Sequence, residues 1–287
     1  MPADTSTRPL EGVGIGLRSK HYQDILATKP DVPWFEILTD NYLGEGGAPL
    51  HYLEQVAQHY PLSFHCVGMS LGSAEPIDKA YFDKLKRLIA RFQPAHVSDH
   101  LSWNSLDGVY GHDLLPMPYT EDAARHIAQK IQAAQDYLGR RILIENVSSY
   151  LAFKDSYLTE LEFLCDVVKR ADCELLCDVN NIYVSARNHD FDASDYLRRL
   201  PKERVKELHL AGYEDQGTHL LDTHGSAVHE PVWQLYEQAI AQFGNVPTLI
   251  EWDTNIPNFD VLLDEREKAL DYWHAGALSK AEKGAVQ

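Results

Sequence analysis

Short apolar runs that end on a polar or charged residue recur along this chain, separated by longer stretches whose apolar positions repeat every three or four residues. The runs lie at 12–17, 34–39, 62–67, 96–101, 141–147, 174–179, 205–213 and 248–252. Their length and their β-branched and aromatic content predict eight strands. Between them, helical spacing is clearest at 50–60, where Leu50, Leu53, Val56 and Ala57 share a face, and at 78–92, where Phe82, Leu85, Leu88, Ile89 and Phe92 do. Further helices are predicted at 21–28, 121–138, 158–170, 194–200, 231–243 and 259–274. Pro61 and Gly139 stand where two of these should stop.

Strands that alternate with helices imply parallel pairing, and no stretch rich in Gly, Ser or Pro marks a domain boundary. The expectation is an α/β protein, a single (β/α)8 TIM barrel over residues 12–275, with a flexible lead-in at 1–11 and a disordered tail at 276–287. Residues 102–120 have no period, and a loop of that length inside a compact domain is usually functional. It reads as a lid or substrate loop, with His112 as a substrate contact.

Composition narrows the partners. In 287 residues, 44% hydrophobic, Asp and Glu outnumber Lys and Arg by 43 to 26, so a nucleic-acid backbone is repelled on average. Cys66, Cys165, Cys173 and Cys177 include no C-x-x-C, and neither a signal-like nor a membrane-spanning apolar run is present. The expectation is reduced thiols in a cytoplasmic protein with no membrane association. The GVGIGL run beginning at Gly12 lacks the third glycine of a dinucleotide-binding turn.

In a barrel, the carboxyl ends of the strands and the loops after them carry the chemistry. Candidate metal ligands fall there repeatedly: His65, His100, Glu145, Asp178 with Asn181, His209, then Asp222 and His224 one residue apart, and Glu251. Four imidazoles, four carboxylates and an amide exceed what one ion needs, so two or three ions are implied. Without them the carboxylates would repel, and some would take up protons. A nitrogen and oxygen donor set without thiolate suits iron, manganese or zinc. Ser98-Asp99-His100 holds the residue types of a hydrolase triad, but neighbours on a strand point to opposite faces; Cys66 likewise faces away from His65.

The words around these residues, FHCVGMSLG, SDHLSW, DLLPMPYT, IENVSSY, CDVNNIYVS, ELHLAGY, DTHG and IEWDTNIP, together resemble the multinuclear non-haem iron-dependent oxidative enzymes, the family of the methanobactin biosynthesis oxygenase. The ligand order also resembles the trinuclear site of endonuclease IV and other xylose-isomerase-like barrels. The resemblance implies two to three iron ions (Fe2+/Fe3+), with manganese or zinc as substitutes. His65, His100 and Glu145 would hold one; Glu145 would bridge to a second held by Asp178, His209 and Glu251; Asn181, Asp222 and His224 would hold a third. Asn181 stands where the endonuclease pattern has His, and an amide is the weaker ligand. Glu36, Asn41 and Tyr42 resemble a family word that would line the substrate cleft, although Glu36 on an alternating strand also reads as solvent-facing.

The implied activity is O2-dependent oxidation of a side chain, cysteine above all, of a ribosomally made precursor peptide presented by a small leader-binding partner protein, with a homodimer left open. The competing reading on the same barrel is a metal-dependent phosphodiesterase or sugar isomerase.

Overall fold

The computed structural model describes residues 8–106 and 109–284, apart from the side chains of residues 110, 112 and 277–284. Most of the expected lead-in therefore lies outside the described residues. In chain order the elements are β1 (Val13–Gly16), α1 (Tyr22–Thr28), β2 (Phe35–Leu38), α2 (Ala48–Ala57), β3 (Leu62–His65), α3 (Lys79–Phe92), β4 (His96–His100), β5 (Trp103–Leu106), β6 (Val109–Leu115), α4 (Glu121–Leu138), β7 (Leu143–Glu145) and α5 (Glu160–Ala171). They continue with β8 (Glu174–Asp178), α6 (Val179–His189), α7 (Ala193–Arg199), β9 (Val205–Leu210), β10 (Tyr213–Asp215), β11 (Leu220–Asp222), α8 (Glu230–Phe243), β12 (Thr248–Ile250) and α9 (Phe259–Gly284).

Eight parallel strands close into a barrel in the order β1-β12-β9-β8-β7-β4-β3-β2. Each barrel strand thus neighbours the next one in the chain, the winding that successive βα units give. All eight predicted strands are found, and the fold is the expected (β/α)8 barrel.

By internal contacts the chain divides into two compact units. The first comprises Glu36–Val147 with Leu151–Leu176, and its core is built on Leu53, Phe64, Leu71, Phe82 and Phe163, all fully buried. Its helices begin on side-chain caps: Asp78 accepts from the backbone of Ala80, Thr120 from Ala123, and Thr159 forms a reciprocal capping box with Glu162. Lys130, on α4, is buried and donates to the carbonyls of Ser73 at 3.2 Å and Glu75 at 2.6 Å, which anchors the loop that follows β3.

The second unit comprises Glu11–Phe35, Ser148–Tyr150 and the chain from Cys177 onward, with Ile15, Ile25, Trp34, Trp233 and Tyr236 at its centre. The glycine spacing of β1 has a steric origin here. A Cβ on Gly14 would come within 2.4 Å of the Trp34 indole, which lies flat against the strand.

Four features differ from the sequence reading. Within the stretch at 102–120, β5 and β6 pair as an antiparallel hairpin, Trp103 opposite Leu115 and Leu106 opposite Val109. The signal for it was the Asp107-Gly108 pair, whose own placement lies outside the described residues, since Asp-Gly favours a two-residue hairpin turn. A second hairpin, β10 with β11, occupies the loop that leads to Asp222. Helix α6 starts directly after Asp178; its Asn-Asn pair and β-branched residues have weak helix propensity, and the Asp178 cap starts it nonetheless. Helix α9 continues past His274 to Gly284. Among the described residues no helix is long and apolar enough to cross a membrane.

Replacing Gly14 with Val should destabilise the chain by about 1–3 kcal/mol, because the side chain must displace the Trp34 ring in a packed core. Thermal unfolding followed by circular dichroism measures this, and an unchanged melting temperature would mean that Trp34 has room to move.

Candidate metal centre

In the first unit, parallel register brings three predicted ligands to one level. His65, His100 and Glu145 are the last residues of β3, β4 and β7, and each is buried. His100 pairs in register with Glu145, whereas His65 pairs with Ser98, two residues before His100 on the same face of β4. The result is a nearly equilateral triangle: His65 Nε2 to His100 Nε2 is 3.2 Å, His65 Nε2 to Glu145 Oε2 is 3.3 Å, and His100 Nε2 to Glu145 Oε2 is 3.4 Å. Ligands bound at about 2.1 Å to one ion stand about 3.0–3.4 Å apart, depending on octahedral or tetrahedral geometry.

The other face of each ring fixes its proton. Ser98 Oγ donates to the Phe64 carbonyl and lies 2.8 Å from His65 Nδ1, so it accepts the Nδ1–H. Asp99 Oδ1 lies 3.3 Å from His100 Nδ1 and, as a carboxylate, can only accept. With Nδ1 of each ring donating outward, both Nε2 atoms would turn lone pairs toward each other and toward Glu145. A cation between them resolves that arrangement, and the outer acceptors are the kind that orient metal-binding imidazoles. Asp99 is itself held, accepting from the backbone of His100 at 2.6 Å and Met69 at 2.9 Å.

In the second unit, Asp178 ends β8 and caps α6, accepting from the Asn181 backbone at 2.6 Å. Ligand atoms of Asp178, His224 and Glu251 lie within 4.8 Å of one another. His209 Nδ1 meets Glu251 Oε2 at 2.9 Å, and His224 Nε2 lies 2.7 Å from Asp222 Oδ1 and 3.9 Å from Asp178 Oδ2. Asn181 is buried in the first turn of α6. Asp222 is steadied by Asn180 Nδ2 at 2.8 Å and Ser148 Oγ at 3.0 Å, and its backbone N–H donates to the Tyr150 hydroxyl at 2.9 Å.

Protonation follows from this packing. Burial, opposed by His224 and reinforced by the Asp222 charge, pushes the Asp178 carboxyl up to about 7. That is the proton uptake expected of crowded carboxylates. Glu251 goes the other way: burial would raise it, but His209 and His224 pull it well below the usual carboxylate range. Burial disfavours charge on His224, yet Asp222 and Glu251 hold its pKa well above the ordinary imidazole value.

Glu36 is buried at 2% exposure and accepts from Ser63 Oγ at 2.9 Å, so the solvent-facing reading of that position is overturned. Asn41 is exposed and Tyr42 buried, on the turn after β2. The His112 side chain lies outside the described residues. Cys66 is buried, and burial with the charges of Asp40 and Asp99 drives its thiol pKa well up, against any thiolate chemistry there. Sequence reasoning gave no role to Ser98, Asp99, Asn180, Ser148 or Asp253. For Ser98 a signal existed, its parity with His100 on β4; for Asp253 the neighbourhood of Glu251 was the only hint.

The fold is a closed parallel barrel whose imidazole and carboxylate clusters have the composition and spacing that could hold metal ions. Solved structures agree on the fold. A xylose isomerase domain protein from Alicyclobacillus acidocaldarius superposes with a TM-score of 0.60 at 15% identity, covering 93% of this chain and 99% of the other. Endonuclease IV from Thermus thermophilus gives 0.59 at 15% identity with the same coverage.

Sequence comparison is more specific. Residues 12–274 match the family described as RiPP precursor modification enzyme MbnB/TglH/ChrH, and the chain belongs to that family. Its relatives include UPF0276 proteins of Acaryochloris marina, 55% identical over 92% of this chain and 95% of the relative, and of Anaeromyxobacter sp., 48% identical over 98% and 99%.

As a ligand, Asp178 would have to lose its proton before binding a cation, so the affinity for that ion should fall as pH drops through the raised pKa, by up to about tenfold per unit. Titrating metal-free protein with Mn(II) at about pH 8 and about pH 6 measures this. Equal affinity at both would remove Asp178 from the ligand set.

Proposed function

We propose that this member of the RiPP-modifying family is a multinuclear iron-dependent oxidase that uses O2 to modify a side chain, cysteine above all, of a ribosomally made precursor peptide. The observation that carries the metal part is the His65–His100–Glu145 triangle, with sides of 3.2, 3.3 and 3.4 Å and a proton-holding partner behind each imidazole. In this reading those three residues hold one ion. Glu145 is shared with a second that Asp178, His209 and Glu251 complete, while Asn181, Asp222 and His224 hold a third.

Bound iron would supply one-electron exchange and a site for dioxygen and thiolate; mixed nitrogen and oxygen donors without cysteine suit it, and manganese or zinc could occupy the same positions. The chain's own residues do the rest. Ser98 and Asp99 keep Nε2 of each histidine aimed inward. Asp178, bonded to the start of α6, couples that helix to the site.

A peptide rather than a small sugar is supported by what surrounds the first unit's strand ends. The hairpin after β4 exposes Leu106 and Val109, and the loop after β7 exposes Leu151, Phe153 and Tyr157. Glu36, Asn41, Tyr42 and His112 complete the proposed substrate contacts, with a small partner protein presenting the leader in the cytoplasm.

Metal analysis of protein purified without oxygen, combined with oxygen uptake in the presence of a cysteine-containing precursor, tests the reading. The expected result is two to three irons per chain and peptide-dependent oxygen consumption. Zinc alone with no oxygen uptake would favour phosphodiester or sugar chemistry instead. Glu145→Ala should cost metal at two positions and Asn181→Ala at one; equal losses would undo the assignment of the bridge.

A further inference from the structure

The segment after β12 and the loop carrying His224 are joined at four points that the proposed ligand set does not use. Asp253 donates its backbone N–H to the His224 carbonyl at 2.7 Å, and Thr254 donates to the same oxygen at 3.3 Å. Thr254 Oγ1 donates to the Thr223 carbonyl at 2.9 Å, and Asp253 Oδ2 lies 3.2 Å from His224 Nδ1. The two segments are pressed so close that a Cβ on Gly225 would lie 2.2 Å from Thr254 Oγ1. His224 itself has a φ of 44°, in the left-handed region, which a non-glycine residue keeps only where its surroundings hold it.

Carboxylates hold the ring from both edges: Asp222 Oδ1 lies 2.7 Å from Nε2, while Asp253 Oδ2 at 3.2 Å and Glu251 Oε2 at 3.3 Å flank Nδ1. Glu251 also meets His209 Nδ1 at 2.9 Å, so Asp253 is the Nδ1 partner outside the proposed ligand set, and its contact sets the angle at which the ring presents Nε2.

Asp253 is in turn held from the segment after β1. Arg18 Nη2 donates to Asp253 Oδ1 at 2.5 Å and Arg18 Nε to the Trp252 carbonyl at 2.9 Å, with the Arg18 side chain only 11% exposed. The guanidinium folds back over Gly16, where a Cβ would come within 2.9 Å of it.

We propose that Asp253, braced by Arg18, is a positioning residue: it fixes the ring orientation of His224 for metal binding, and its backbone N–H holds the strained loop in place. This rests on the reading of Asp222 and His224 as ligands of one ion.

Co(II) titration of the metal-free full-length chain, followed by the visible absorption of each equivalent, tests it. Asp253→Asn keeps the shape and the backbone N–H but loses the obligate acceptor. It should weaken one equivalent by about 10–100-fold and shift that equivalent's absorption band, with the others unchanged. Arg18→Gln, which touches His224 only through Asp253, should weaken the same equivalent by a smaller factor, with a further small effect through Glu251, whose Oε1 lies 4.0 Å from Arg18 Nη2. Asp253→Asn binding every equivalent as tightly as wild type with unshifted bands, or all equivalents weakening together, would overturn the positioning role alone. A wild-type chain that takes up no Co(II) would overturn the metal reading, and this inference with it.

Discussion

The structure turns on burying ionisable side chains at the carboxyl ends of parallel strands. Burying a lone charge is costly, and a buried polar group stays only where something satisfies it. His65, His100, Glu145, Asp178, His209 and Glu251 are all buried, and each lies within one residue of the carboxyl end of a barrel strand. The barrel can afford this position because its strands are stabilised elsewhere, by Phe64, Phe82 and Phe163 in one unit and Trp34, Trp233 and Tyr236 in the other. The polar groups are therefore free to be arranged for chemistry rather than for stability.

The two units meet that constraint differently. In the first, polar groups stand behind the rings, Ser98 Oγ 2.8 Å from His65 Nδ1 and Asp99 Oδ1 3.3 Å from His100 Nδ1. In the second, imidazoles and carboxylates compensate one another directly, as the 2.9 Å contact of His209 with Glu251 and the 2.7 Å contact of His224 with Asp222 show. That mutual pairing is why Glu251 is pulled down while Asp178, with less help, is pushed up to about 7.

Much of this was legible in the sequence, for identifiable reasons. Strands buried on both faces read as continuous apolar runs, so a polar residue at the end of such a run stands out, as His65, Glu145 and Asp178 do. Period-two parity separated His100 from Asp99 and His65 from Cys66 without coordinates. What was not legible depends on side-chain direction or on local chemistry that outweighs propensity. Helix α6 begins on a cap supplied by Asp178, a residue read only as a candidate ligand, so the capping role was missed. The β5–β6 hairpin lies in a stretch without apolar alternation, where turn chemistry rather than periodicity was the available signal. Asp253 was passed over because its importance comes from a contact with His224, 29 residues away in the chain.

The serines and carboxylates behind the histidines bear on how such a site can change its chemistry within one fold. A donor set of imidazole and carboxylate is shared by hydrolytic, isomerising and oxidative metal centres, so the ligands alone do not select a reaction. Selection must come from what fixes the ligands and from what reaches the substrate. For the first, Ser98, Asp99 and Asp253 each lie within hydrogen-bond reach of a ring Nδ1. For the second, the proposed candidates are insertions beyond the bare βα repeat, the hairpin after β4 and the long β7–α5 loop with its exposed Leu151, Phe153 and Tyr157. A sugar-sized ligand would gain little from apolar side chains standing out in solvent. A flexible peptide, which must be ordered before it can react, gains anchoring contact from each of them.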